Sequence, residues 1–278
     1  MDQVTVNEMQ WRKASHVGAY ANRSLLPVEV MLLVRYRSQL SGRVIEVGCG
    51  AGRVLGYLVA LGGEVHGIDL SPAMVDYCLR AYPEADVRVG DVAALAETIP
   101  GPFDAIVAAD NLLDVFDDAR RRSVLAHLGS LLAPGGVLIF SSHRLAEVDQ
   151  RLLPRRGSRL AGRVADFLVR HTVLQLASAA VRLPVRLRNR RRLAPLQRSG
   201  AGYAIVNDEA CDYGLLHYYV QRDVQERQLR EAGLELVECL DPEGRRVPAG
   251  TDGDGPWLHY VAQRAGGPRP QERARAGD

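Results

Sequence analysis

Short apolar runs alternate with segments of helical periodicity along the first half of the chain. Five of these runs have the length and composition of buried strands: RVIEV, EVHGI, DVRV, FDAIVAA and VLIFSS. Because helical segments separate the runs, consecutive strands are expected to lie parallel, in a sheet covered by helices on both faces. LELVECL and WLHYVAQ predict two further strands near the C-terminus. The pattern therefore predicts an α/β fold.

Two of the helical segments have clear start signals. Ser71 places a capping residue directly before Pro72, which would take the first helical position of SPAMVDYCLRAY. Asp117 and Asp118 open DDARRRSVLAHLGSLLAPGG, where acidic side chains favour the first turn and the PGG triplet predicts the end. We therefore expect one crossover helix after the second strand and another after the fourth.

The alternation is interrupted after the fifth apolar run. From His143 to Gly200 the chain has fourteen arginines and three acids, although the net charge of the whole protein is only +2. Helical periodicity returns within this segment, so we interpret it as a structured insertion rather than a linker. The predicted organisation is a helical cover (1–41), a core (42–143), an arginine-rich helical insertion (144–216), the C-terminal part of the core sheet (217–264) and a disordered tail (265–278).

The composition disfavours a secreted, a membrane-spanning and a metal-binding protein. The first residues, MDQVTVNEMQWRK, lack the apolar region of a secretion signal. No uninterrupted run of about 18 apolar residues predicts a spanning helix. The four cysteines lie far apart without metal-ligand spacing, so we expect reduced thiols and no bound metal. A cytoplasmic protein fits these features best.

A glycine-rich loop follows the first strand. In RVIEVGCGAGRVLGYL, Gly48, Gly50 and Gly52 lie between the strand and the next helix. Glycines let the backbone turn sharply and approach a ligand closely, and the N-terminus of the following helix favours negative charge. Arg53 stands where a dinucleotide-binding fold has a third small residue. Glu46 is an acid in an otherwise apolar strand, and burying it costs stability unless it has a partner.

Acidic residues mark the ends of the next two strands. Asp69 ends the second strand about twenty residues after the loop, where an acid accepts hydrogen bonds from ribose hydroxyls. Asp91 follows the third strand in VRVGDV. Because ligands of open α/β sheets bind outside the carboxyl ends of the strands, these acids and the glycine loop should line one crevice. A nucleotide-like ligand is the expected occupant.

Five motifs in this order, ExGxGxG, GIDLSPAM, GDV, FDAIVAADNLLDVF and LLAPGGVLIFS, resemble those of the class I S-adenosylmethionine-dependent methyltransferases. The resemblance covers residues 43–142 and, more loosely, 222–264. It implies a Rossmann-like fold with a seven-stranded, mostly parallel sheet, an antiparallel last strand and helices on both faces. A helical lid inserted after the fifth strand is also expected. S-adenosylmethionine would be the cofactor and S-adenosylhomocysteine the product.

The resemblance also implies how the glycine loop would hold the cofactor. Gly48, Cys49, Gly50 and Gly52 would surround its methionine and ribose portions, and Glu46 would face its amino acid end. The turn after the fourth strand would lie near the sulfonium, and its two residues are Asp110 and Asn111.

The remaining implied contacts are with the ribose and the adenine. Asp69 would bind the ribose hydroxyls, with Leu70 and Met74 near the adenine. Asp91 would meet the exocyclic amine of the adenine, beside the backbone of Val92. Together these residues and the glycine loop form the predicted cofactor site.

Methyl transfer from a sulfonium is an in-line displacement, so positioning supplies much of the rate, and a base is needed only if the acceptor loses a proton. His143 directly follows the fifth strand and is predicted to be a base or an acceptor anchor, because imidazole titrates near neutrality. His217 and Tyr218, in an aromatic and polar cluster after the insertion, are predicted to contact the acceptor. The other predicted acceptor contacts are Tyr20, Arg23, Tyr203, Asn207 and Tyr213.

The arginine-rich insertion leaves the class of acceptor open. RLPVRLRNRRRLAPLQR has no acid and would suit RNA phosphates, but no aromatic residue interleaves with its arginines. The segment SRLAGRVADFLVRHTVLQLASAAVRL has an apolar face that fits either peripheral membrane contact or a lid. Our prediction is methylation of O or N in a small molecule, in keeping with specialised metabolism. RNA methylation and a non-catalytic cofactor-binding scaffold are the alternatives.

Overall fold

Strands and helices alternate along the chain as the apolar pattern predicts. The computed structural model describes residues 2–12, 18, 21, 23–151 and 173–265. The helices are α1 (Gln3–Trp11), α2 (Pro27–Arg35), α3 (Arg37–Leu40), α4 (Leu55–Ala60), α5 (Pro72–Ala81), α6 (Leu95–Thr98), α7 (Asp118–Ser130), α8 (Leu145–Arg151), α9 (Val173–Leu193) and α10 (Arg222–Glu231). The strands are β1 (Arg43–Val47), β2 (Glu64–Asp69), β3 (Asp86–Val89), β4 (Phe103–Ala108), β5 (Leu132–Arg144), β6 (Arg198–Gly200), β7 (Tyr203–Val206), β8 (His217–Val220), β9 (Leu234–Leu240) and β10 (Trp257–Arg264).

Seven of the strands form the sheet that the family resemblance implies. Their order is β3-β2-β1-β4-β5-β10-β9, and β1 to β5 pair in parallel. β10 is antiparallel to β5, in a register that runs from Trp257 opposite His143 to Gln263 opposite Val137. The two closing strands predicted from LELVECL and WLHYVAQ are therefore confirmed, and so is the Rossmann-like fold class.

Three further strands extend the sheet at the carboxyl end of β5. β4 accompanies β5 only as far as the pair Ala108 and Phe140. β8 then lies parallel to the last residues of β5, with His143 opposite Tyr219. β7 is antiparallel to β8, and β6 is antiparallel to β7. This extension places residues from the second half of the chain beside the end of the fifth strand.

The insertion contains strands as well as the helices that the sequence predicts. Besides the helices α8 and α9 it contributes β6 and β7, whereas a helical insertion over 144–216 was expected. β6 has three residues, all exposed, so it carries no apolar pattern that would predict it. β8, which was predicted to belong to the core sheet, pairs with β7 of the insertion over its whole length. Residues 152–172 and the predicted disordered tail 266–278 lie outside the described residues.

The apolar core has two layers, one on each face of the sheet. Ile45 and Val47 of β1 belong to the cluster that contains Leu125 of α7, whereas Val44 belongs to the opposite cluster, with Leu58 of α4. Alternate residues of a strand point to opposite faces, so both faces of β1 must be apolar except where a ligand or a partner compensates. Glu46, on the same face as Val44, is the exception in this strand.

The helix starts follow the sequence signals with one difference in detail. α5 begins at Pro72 after Ser71, but no side-chain hydrogen bond caps it; the backbone N–H of Ser71 instead donates to Oδ1 of Asp69 at 2.8 Å. α7 is capped by Asp117, whose carboxylate accepts from the backbone N–H of Arg120 at 2.9 Å. The interaction of Ser71 with Asp69 links the start of α5 to the end of β2.

The C-terminal part of α9 carries most of the basic motif RLPVRLRNRRRLAPLQR, and much of its surface is exposed. Leu183, Val185 and Leu187 are 52%, 41% and 45% exposed between these arginines. The helix is attached by Arg186, whose Nε donates to Asp212 at 2.9 Å, and by its buried last residue, Leu193. None of the helices in the described ranges is long and apolar enough to cross a membrane.

Candidate active site

A cavity lies over the carboxyl ends of β1, β2 and β4 and is reached by most of the predicted cofactor-binding residues. The predicted residues in its lining are Glu46, Gly48, Cys49, Gly50, Asp69, Leu70, Met74, Val92 and Asp110. Gly52, Asp91 and Asn111 lie next to it without lining it. Residues in the lining that the sequence did not identify for the site are Trp11, Ala51, Arg53, Ile68, Gly90, Ala109, Leu112, Val115 and Phe116.

The three loop glycines have left-handed backbone conformations, but their surroundings differ. Their φ angles are 66°, 53° and 79° at Gly48, Gly50 and Gly52, a region that side chains other than glycine rarely adopt. A Cβ at Gly50 would meet no atom within 4 Å, so this position opens into space. A Cβ at Gly52 would lie 2.5 Å from the ring of Tyr82. Gly52 therefore serves close packing, whereas Gly50 leaves room for a ligand.

Asp69 fixes the loop from the end of β2. Its Oδ2 accepts from the backbone N–H of Gly50 at 2.9 Å, and its Oδ1 accepts from that of Ser71. Burial raises the pKa of Asp69, and the two backbone donors partly oppose this effect. Each carboxylate oxygen has a second lone pair, so Asp69 is able to accept hydrogen bonds from a ligand in the cavity.

Glu46 is a buried acid with an unsatisfied oxygen. The residue is 3% exposed, and within the described part of the chain its Oε2 has no hydrogen-bond partner. Burial raises the pKa of Glu46 well above its ordinary value, and the nearby positive charge of Arg53 opposes this. Arg53 is itself paired with Glu29. A cationic or hydrogen-bond-donating ligand group would compensate the burial of Glu46.

Asp91 stands at the predicted strand end, but its carboxylate is engaged elsewhere. One oxygen accepts from the backbone N–H of Ala93 at 2.9 Å, and the other is bound by Arg120. Gly90 and Val92, on either side of it, line the cavity. At this strand end the cavity wall is therefore formed by the neighbours of Asp91.

The turn after β4 has two consecutive residues in the left-handed conformation, Asp110 and Asn111, with φ of 56° and 57°. Asp110 lines the cavity and pairs with Arg23 at 2.5 Å, with both side chains about half exposed (49% and 48%). The backbone N–H of Asn111 donates to Oγ of Ser141 at 2.9 Å. Arg23 therefore lies beside the cavity, and its contact with the acceptor stays a prediction; Tyr20 lies outside the described residues.

A 3-10 turn at Leu112–Val115 separates the cavity from a buried acid. Leu112 and Val115, three residues apart, lie on the same side of such a turn and line the cavity. Asp114, between them, is fully buried and points to β5, where Oδ2 accepts from both the backbone N–H and Nδ1 of His143, at 2.6 and 2.7 Å. The turn therefore couples the cavity wall to His143.

Arg121 holds the other oxygen of Asp114. The guanidinium donates to Oδ1 at 2.6 Å, and Oγ of Ser142 donates to the same atom at 2.7 Å. Arg121 is also fully buried and donates to Ser142 at 3.0 Å and to Gln225 at 2.5 Å. Burial alone would raise the pKa of Asp114, but Arg121 and His143 outweigh it and lower that pKa. Asp114 is therefore an ionised carboxylate.

Since Asp114 accepts at Nδ1, the neutral ring of His143 has its proton on Nδ1 and a lone pair on Nε2. Nε2 faces the amide nitrogen of Asn111 at 3.2 Å. The ring also stacks on His217, with centroids 5.1 Å apart, and on Tyr219 at 4.8 Å. His143 is thus fixed in place directly beside the turn that lines the cavity.

His217 belongs to a second carboxylate–histidine pair. Its Nδ1 lies 2.6 Å from Oδ2 of Asp208, which also accepts from the hydroxyl of Tyr219 at 2.9 Å. Burial lowers the pKa of His217, but Asp208 outweighs it and raises that pKa above the ordinary value. The pKa of Asp208 is correspondingly lowered to about 2. The pair is therefore a carboxylate and an imidazole that retains its proton to unusually high pH.

Two of the predicted acceptor contacts lie on the other face of β8. Tyr218 is fully buried, and its hydroxyl donates to Asp118 at 2.5 Å and accepts from Gln228 at 2.9 Å. Its ring stacks on Tyr203 with centroids 4.9 Å apart. Because successive residues of a strand point to opposite faces, the neighbour that joins His217 is Tyr219 rather than Tyr218.

Asn207 and Tyr213, also predicted as acceptor contacts, shape the loop before β8. The amide of Asn207 donates to the carbonyl oxygens of Tyr213 and Leu215, at 2.9 and 2.6 Å. The guanidinium of Arg190 lies over the ring of Tyr213 at 4.9 Å. These residues hold the loop that carries Asp208.

His143, Asp208 and His217 are the residues among those described whose ligand atoms are grouped suitably for a metal, within 4.8 Å of one another. Asp208 already accepts three hydrogen bonds, from His217, Tyr219 and the backbone N–H of Ala210. The arrangement is that of an acid orienting an imidazole. The expectation of no bound metal remains a prediction.

Comparison with known proteins gives a consistent result. A family model described as "Methyltransferase domain" matches residues 44–136. The ubiquinone biosynthesis O-methyltransferase of Xanthomonas campestris pv. campestris (strain B100) is 30% identical over 190 residues, which cover 62% of this chain and 78% of that protein. The chain belongs to the class I S-adenosylmethionine-dependent methyltransferases. This methyltransferase therefore uses S-adenosylmethionine as its cofactor.

Two further proteins resemble the methyltransferase. The dTDP-4-amino-2,3,4,6-tetradeoxy-D-glucose N,N-dimethyltransferase of Saccharopolyspora spinosa is 30% identical over 164 residues, 53% of this chain and 64% of that protein. The solved structure of the CcbJ methyltransferase from Streptomyces caelestis superposes with a TM-score of 0.58 at 19% identity, covering 95% of this chain and 100% of that one. The latter likeness concerns the fold.

The cavity of the methyltransferase fits this cofactor chemically. The orphaned Oε2 of Glu46 suits an ammonium group, and the free lone pairs of Asp69 suit hydroxyls. Ile68, Met74 and Phe116 give an apolar wall for an aromatic base. A cofactor that carries all three kinds of group matches the polar and apolar parts of one cavity.

Sequence reasoning missed several partners in this site of the methyltransferase. Asp114 was not identified, although its position four residues beyond Asp110 and directly before an apolar Val-Phe pair is a usable signal. Arg121 and Asp208 gave no local signal, because their partners lie on other elements. By contrast, Tyr219 could have been identified from the sequence, because residues two apart in a strand share a face and Tyr219 is two residues after His217.

Proposed function

We propose that the methyltransferase acts on a hydroxyl or amino group of a small molecule, with His143 as the base when the acceptor must lose a proton. The observation that carries this proposal is the chain of contacts from buried Asp114 through Nδ1 to Nε2 of His143, beside Asn111. A carboxylate that fixes Nδ1–H leaves a lone pair on the opposite nitrogen, which accepts the hydrogen bond of the Asn111 amide in the absence of an acceptor and takes the acceptor's proton when the acceptor hydroxyl replaces that amide. This nitrogen faces the turn expected near the sulfonium.

The electrostatics around His143 support a role in proton transfer. When Nε2 takes a proton, the ring becomes positively charged, and the adjacent carboxylate of Asp114 stabilises that charge. Arg121 keeps Asp114 ionised before the reaction, so no proton is lost from the pair to prepare the site. The network is buried, which strengthens each of these interactions relative to water.

The cofactor orientation follows from the same cavity. In this proposal Glu46 binds the ammonium group, Asp69 the ribose hydroxyls, and Asp110 and Asn111 lie beside the sulfonium. Glu46 supplies the orphaned oxygen for the first contact, and Asp69 retains free lone pairs for the second. The glycine loop allows close approach because a position such as Gly50 has open space where a side chain would stand.

At the adenine end we retain Leu70, Met74 and Val92 as the contacts, because all three line the cavity. Asp91 is less suited to bind the exocyclic amine than Asp69 is to bind hydroxyls, because Asp91 does not line the cavity and its Oδ2 is paired with the guanidinium of Arg120. Backbone groups next to Val92 would take that role.

The bound cofactor supplies an electrophilic methyl group, and the protein contributes mainly position. In-line displacement requires the acceptor atom opposite the leaving sulfur, so residues that hold the acceptor supply much of the rate. A hydroxyl acceptor also needs its proton removed as the bond forms, and His143 serves this step. Trp11 and Phe116 line the same cavity and limit the access of water.

The similar proteins support a small acceptor. One is named an O-methyltransferase of ubiquinone biosynthesis, and the other an N,N-dimethyltransferase of a nucleotide-linked amino sugar. Both names describe methylation at oxygen or nitrogen of a small molecule. We extend that acceptor class, though neither particular substrate, to this methyltransferase.

The contacts of α9 support a wall beside the acceptor site rather than an RNA groove. Arg182 and Arg186 pair with Asp212, at 3.6 and 2.9 Å, and Asn189 donates to the backbone oxygen of Asp212. Asp212 belongs to the loop that carries Asp208. Several arginines of the basic motif thus attach the helix to the site. We retain its exposed surface as the part to test for peripheral membrane contact.

The four cysteines form no disulfide with one another, and we retain the prediction of a reducing, cytoplasmic environment. The acceptor class is tested with purified protein, methyl-labelled S-adenosylmethionine and a host extract that is then separated into small-molecule, RNA, lipid and protein fractions. We expect label in the small-molecule fraction. Label in RNA would contradict the proposal and would identify the exposed arginines of α9 as the binding surface.

A further inference from the structure

The site contains two imidazoles where transfer of one proton needs only one. His143 and His217 stack with their ring centroids 5.1 Å apart and their planes 26° apart. Each Nδ1 is bonded to its own carboxylate, that of Asp114 or that of Asp208. Parallel pairing of β5 with β8 sets this arrangement, because it places His143 opposite Tyr219 on the face that also carries His217.

The two imidazoles differ in the group that faces Nε2. Nε2 of His143 meets the amide of Asn111, whereas no described residue hydrogen-bonds Nε2 of His217. Asp208 accepts three hydrogen bonds and is held on both oxygens. Tyr219 bonds Asp208 and also lies against the ring of His143. His217 is therefore oriented as firmly as His143, and among the described residues its outer nitrogen has no hydrogen-bond partner.

We propose that His217, oriented by Asp208, hydrogen-bonds an oxygen of the acceptor next to the methylated atom, so that the acceptor is a small molecule with a carboxylate or carbonyl oxygen beside its nucleophilic group. This inference rests on the proposed function, because it takes the space beside His143 as the acceptor site. His143 takes the proton of the nucleophile, and His217 holds the neighbouring oxygen. The acceptor is thereby fixed at two points, which is what an in-line displacement requires.

The charges around His217 favour an oxygen that only accepts hydrogen bonds. Burial lowers the pKa of His217, but Asp208, which stays ionised, outweighs burial and raises it, so the pair favours a proton on Nε2. Such a charge-assisted hydrogen bond to a carboxylate or carbonyl is about twice as strong as a neutral one. The groups that influence His217 are Asp208 before β8, Tyr219 on β8, His143 on β5, and Asp110 and Asp114 after β4.

The test uses salicylate, in which a hydroxyl lies beside a carboxylate, with phenol as the matched probe that lacks the second group. Binding to the full-length protein saturated with S-adenosylhomocysteine is measured by NMR titration or calorimetry. We expect salicylate to bind at least tenfold more tightly than phenol, and His217→Ala to remove this difference. His217→Gln, which retains an N–H donor, should recover part of it. Equal affinities for the two probes, or a preference that survives in His217→Ala, would overturn the proposal.

A pH series separates ligand binding from a purely structural role. The preference for salicylate should decline as the pH rises through the elevated pKa of His217. In Asp208→Asn this decline should occur at lower pH, because the carboxylate that raises the pKa is gone. A preference independent of pH in both proteins would contradict the proposal. So would salicylate binding that requires zinc and is abolished by a chelator, since a metal would displace the proton from His217.

The outcomes for the two proposals are distinguishable. His143→Gln should lose methyl transfer while keeping the preference for salicylate, because the second oxygen is bound by His217. If label from the cofactor enters RNA while the preference for salicylate is lost in His217→Ala, the proposed function fails and the proposed hydrogen bond of His217 to an acceptor oxygen stands. If label enters small molecules but the preference is absent, only the inference about His217 fails.

Discussion

Nδ1 of His143 lies 2.7 Å from Oδ2 of Asp114, and this contact links the proposed base to the interior of the protein. Asp114 is in turn held by Arg121, which has no exposed surface. A buried carboxylate, a buried guanidinium and an imidazole at the cavity edge thus form one network. Its members come from the turn after β4, from α7 and from β5, and His143 reaches the cavity only through its contact with Asn111 of that turn.

Replacing Asp114 by Asn tests this network. Asn keeps the shape but removes the charge, so Arg121 becomes a buried cation without its partner, and we expect a loss of about 3 kcal/mol in the free energy of unfolding at pH 7. Methyl transfer should also fall, because the His143 imidazolium loses its stabilising carboxylate. Urea unfolding and an initial-rate assay measure the two effects.

The pH dependence of that difference has a definite sign. The folded-state pKa of Asp114 is lowered below its ordinary 3.8, so its stabilisation is present above that value and is lost as the pH falls through the folded pKa. The wild type and Asp114→Asn should therefore converge in stability in strongly acidic solution. A stability difference that grew on acidification would refute the assignment of Asp114 as an ionised carboxylate.

Two glycine substitutions in the loop should separate folding from cofactor binding. Gly50→Ala and Gly52→Ala both place a side chain at positive φ, which costs about 1–2 kcal/mol. Gly52→Ala additionally meets the ring of Tyr82, so we expect a further 1–3 kcal/mol of destabilisation.

Gly50→Ala should instead weaken S-adenosylhomocysteine binding the more strongly of the two, because its methyl group enters the open space of the cavity. Thermal unfolding without ligand and calorimetric titration with S-adenosylhomocysteine give the two rankings. The same ranking in both measurements would show that the two glycines have one common role.

Asp69→Ala should reduce affinity for the cofactor by at least about tenfold, because a carboxylate that binds hydroxyls contributes charge-assisted hydrogen bonds. Asp69→Asn, which retains one acceptor oxygen, should lie between this variant and the wild type. Circular dichroism checks that each variant is folded. Unchanged affinity in a folded Asp69→Ala protein would refute the placement of the ribose.

The neighbouring tyrosines of β8 provide a matched pair. Tyr218→Phe removes a hydroxyl bonded to Asp118 and Gln228, so it should cost about 1–2 kcal/mol in stability and leave methyl transfer nearly unchanged. Tyr219→Phe removes one hydrogen bond to Asp208. It should mainly weaken binding of the acceptor, which would be measured as a raised KM. Unfolding curves and initial rates measure the two effects. A raised KM in Tyr218→Phe with no change in Tyr219→Phe would mean that Tyr218, and not Tyr219, faces the acceptor.

The sequence predicted those features that depend on local patterns. Apolar runs located the strands of the core sheet, and the glycine loop with Asp69 located the cavity, since strand ends and turns are set by near neighbours. His143 was selected for its chemistry and its position after the fifth strand, and His217 because it lies in an aromatic and polar cluster after the insertion. The structure brings them together.

Other features depend on contacts between distant parts of the chain. The bond between Arg121 and Gln225 spans 104 residues, and no spacing rule connects them. Successive side chains of β8 point to opposite faces of the sheet, so only one of Tyr218 and Tyr219 shares a face with His217. The sequence interpretation selected His217 and Tyr218, which are adjacent and therefore lie on opposite faces. β6 could not be found because it is short and exposed on every residue.

The most direct test of the central claim compares His143→Gln with the wild type, with Tyr218→Phe as the folded control. S-adenosylmethionine affinity and transfer of label into the small-molecule fraction are measured on the same preparations. We predict affinity within about twofold of the wild type and transfer reduced by at least about a hundredfold, the usual contribution of a general base. Transfer at the wild-type rate in His143→Gln would contradict the assignment of His143 as the base.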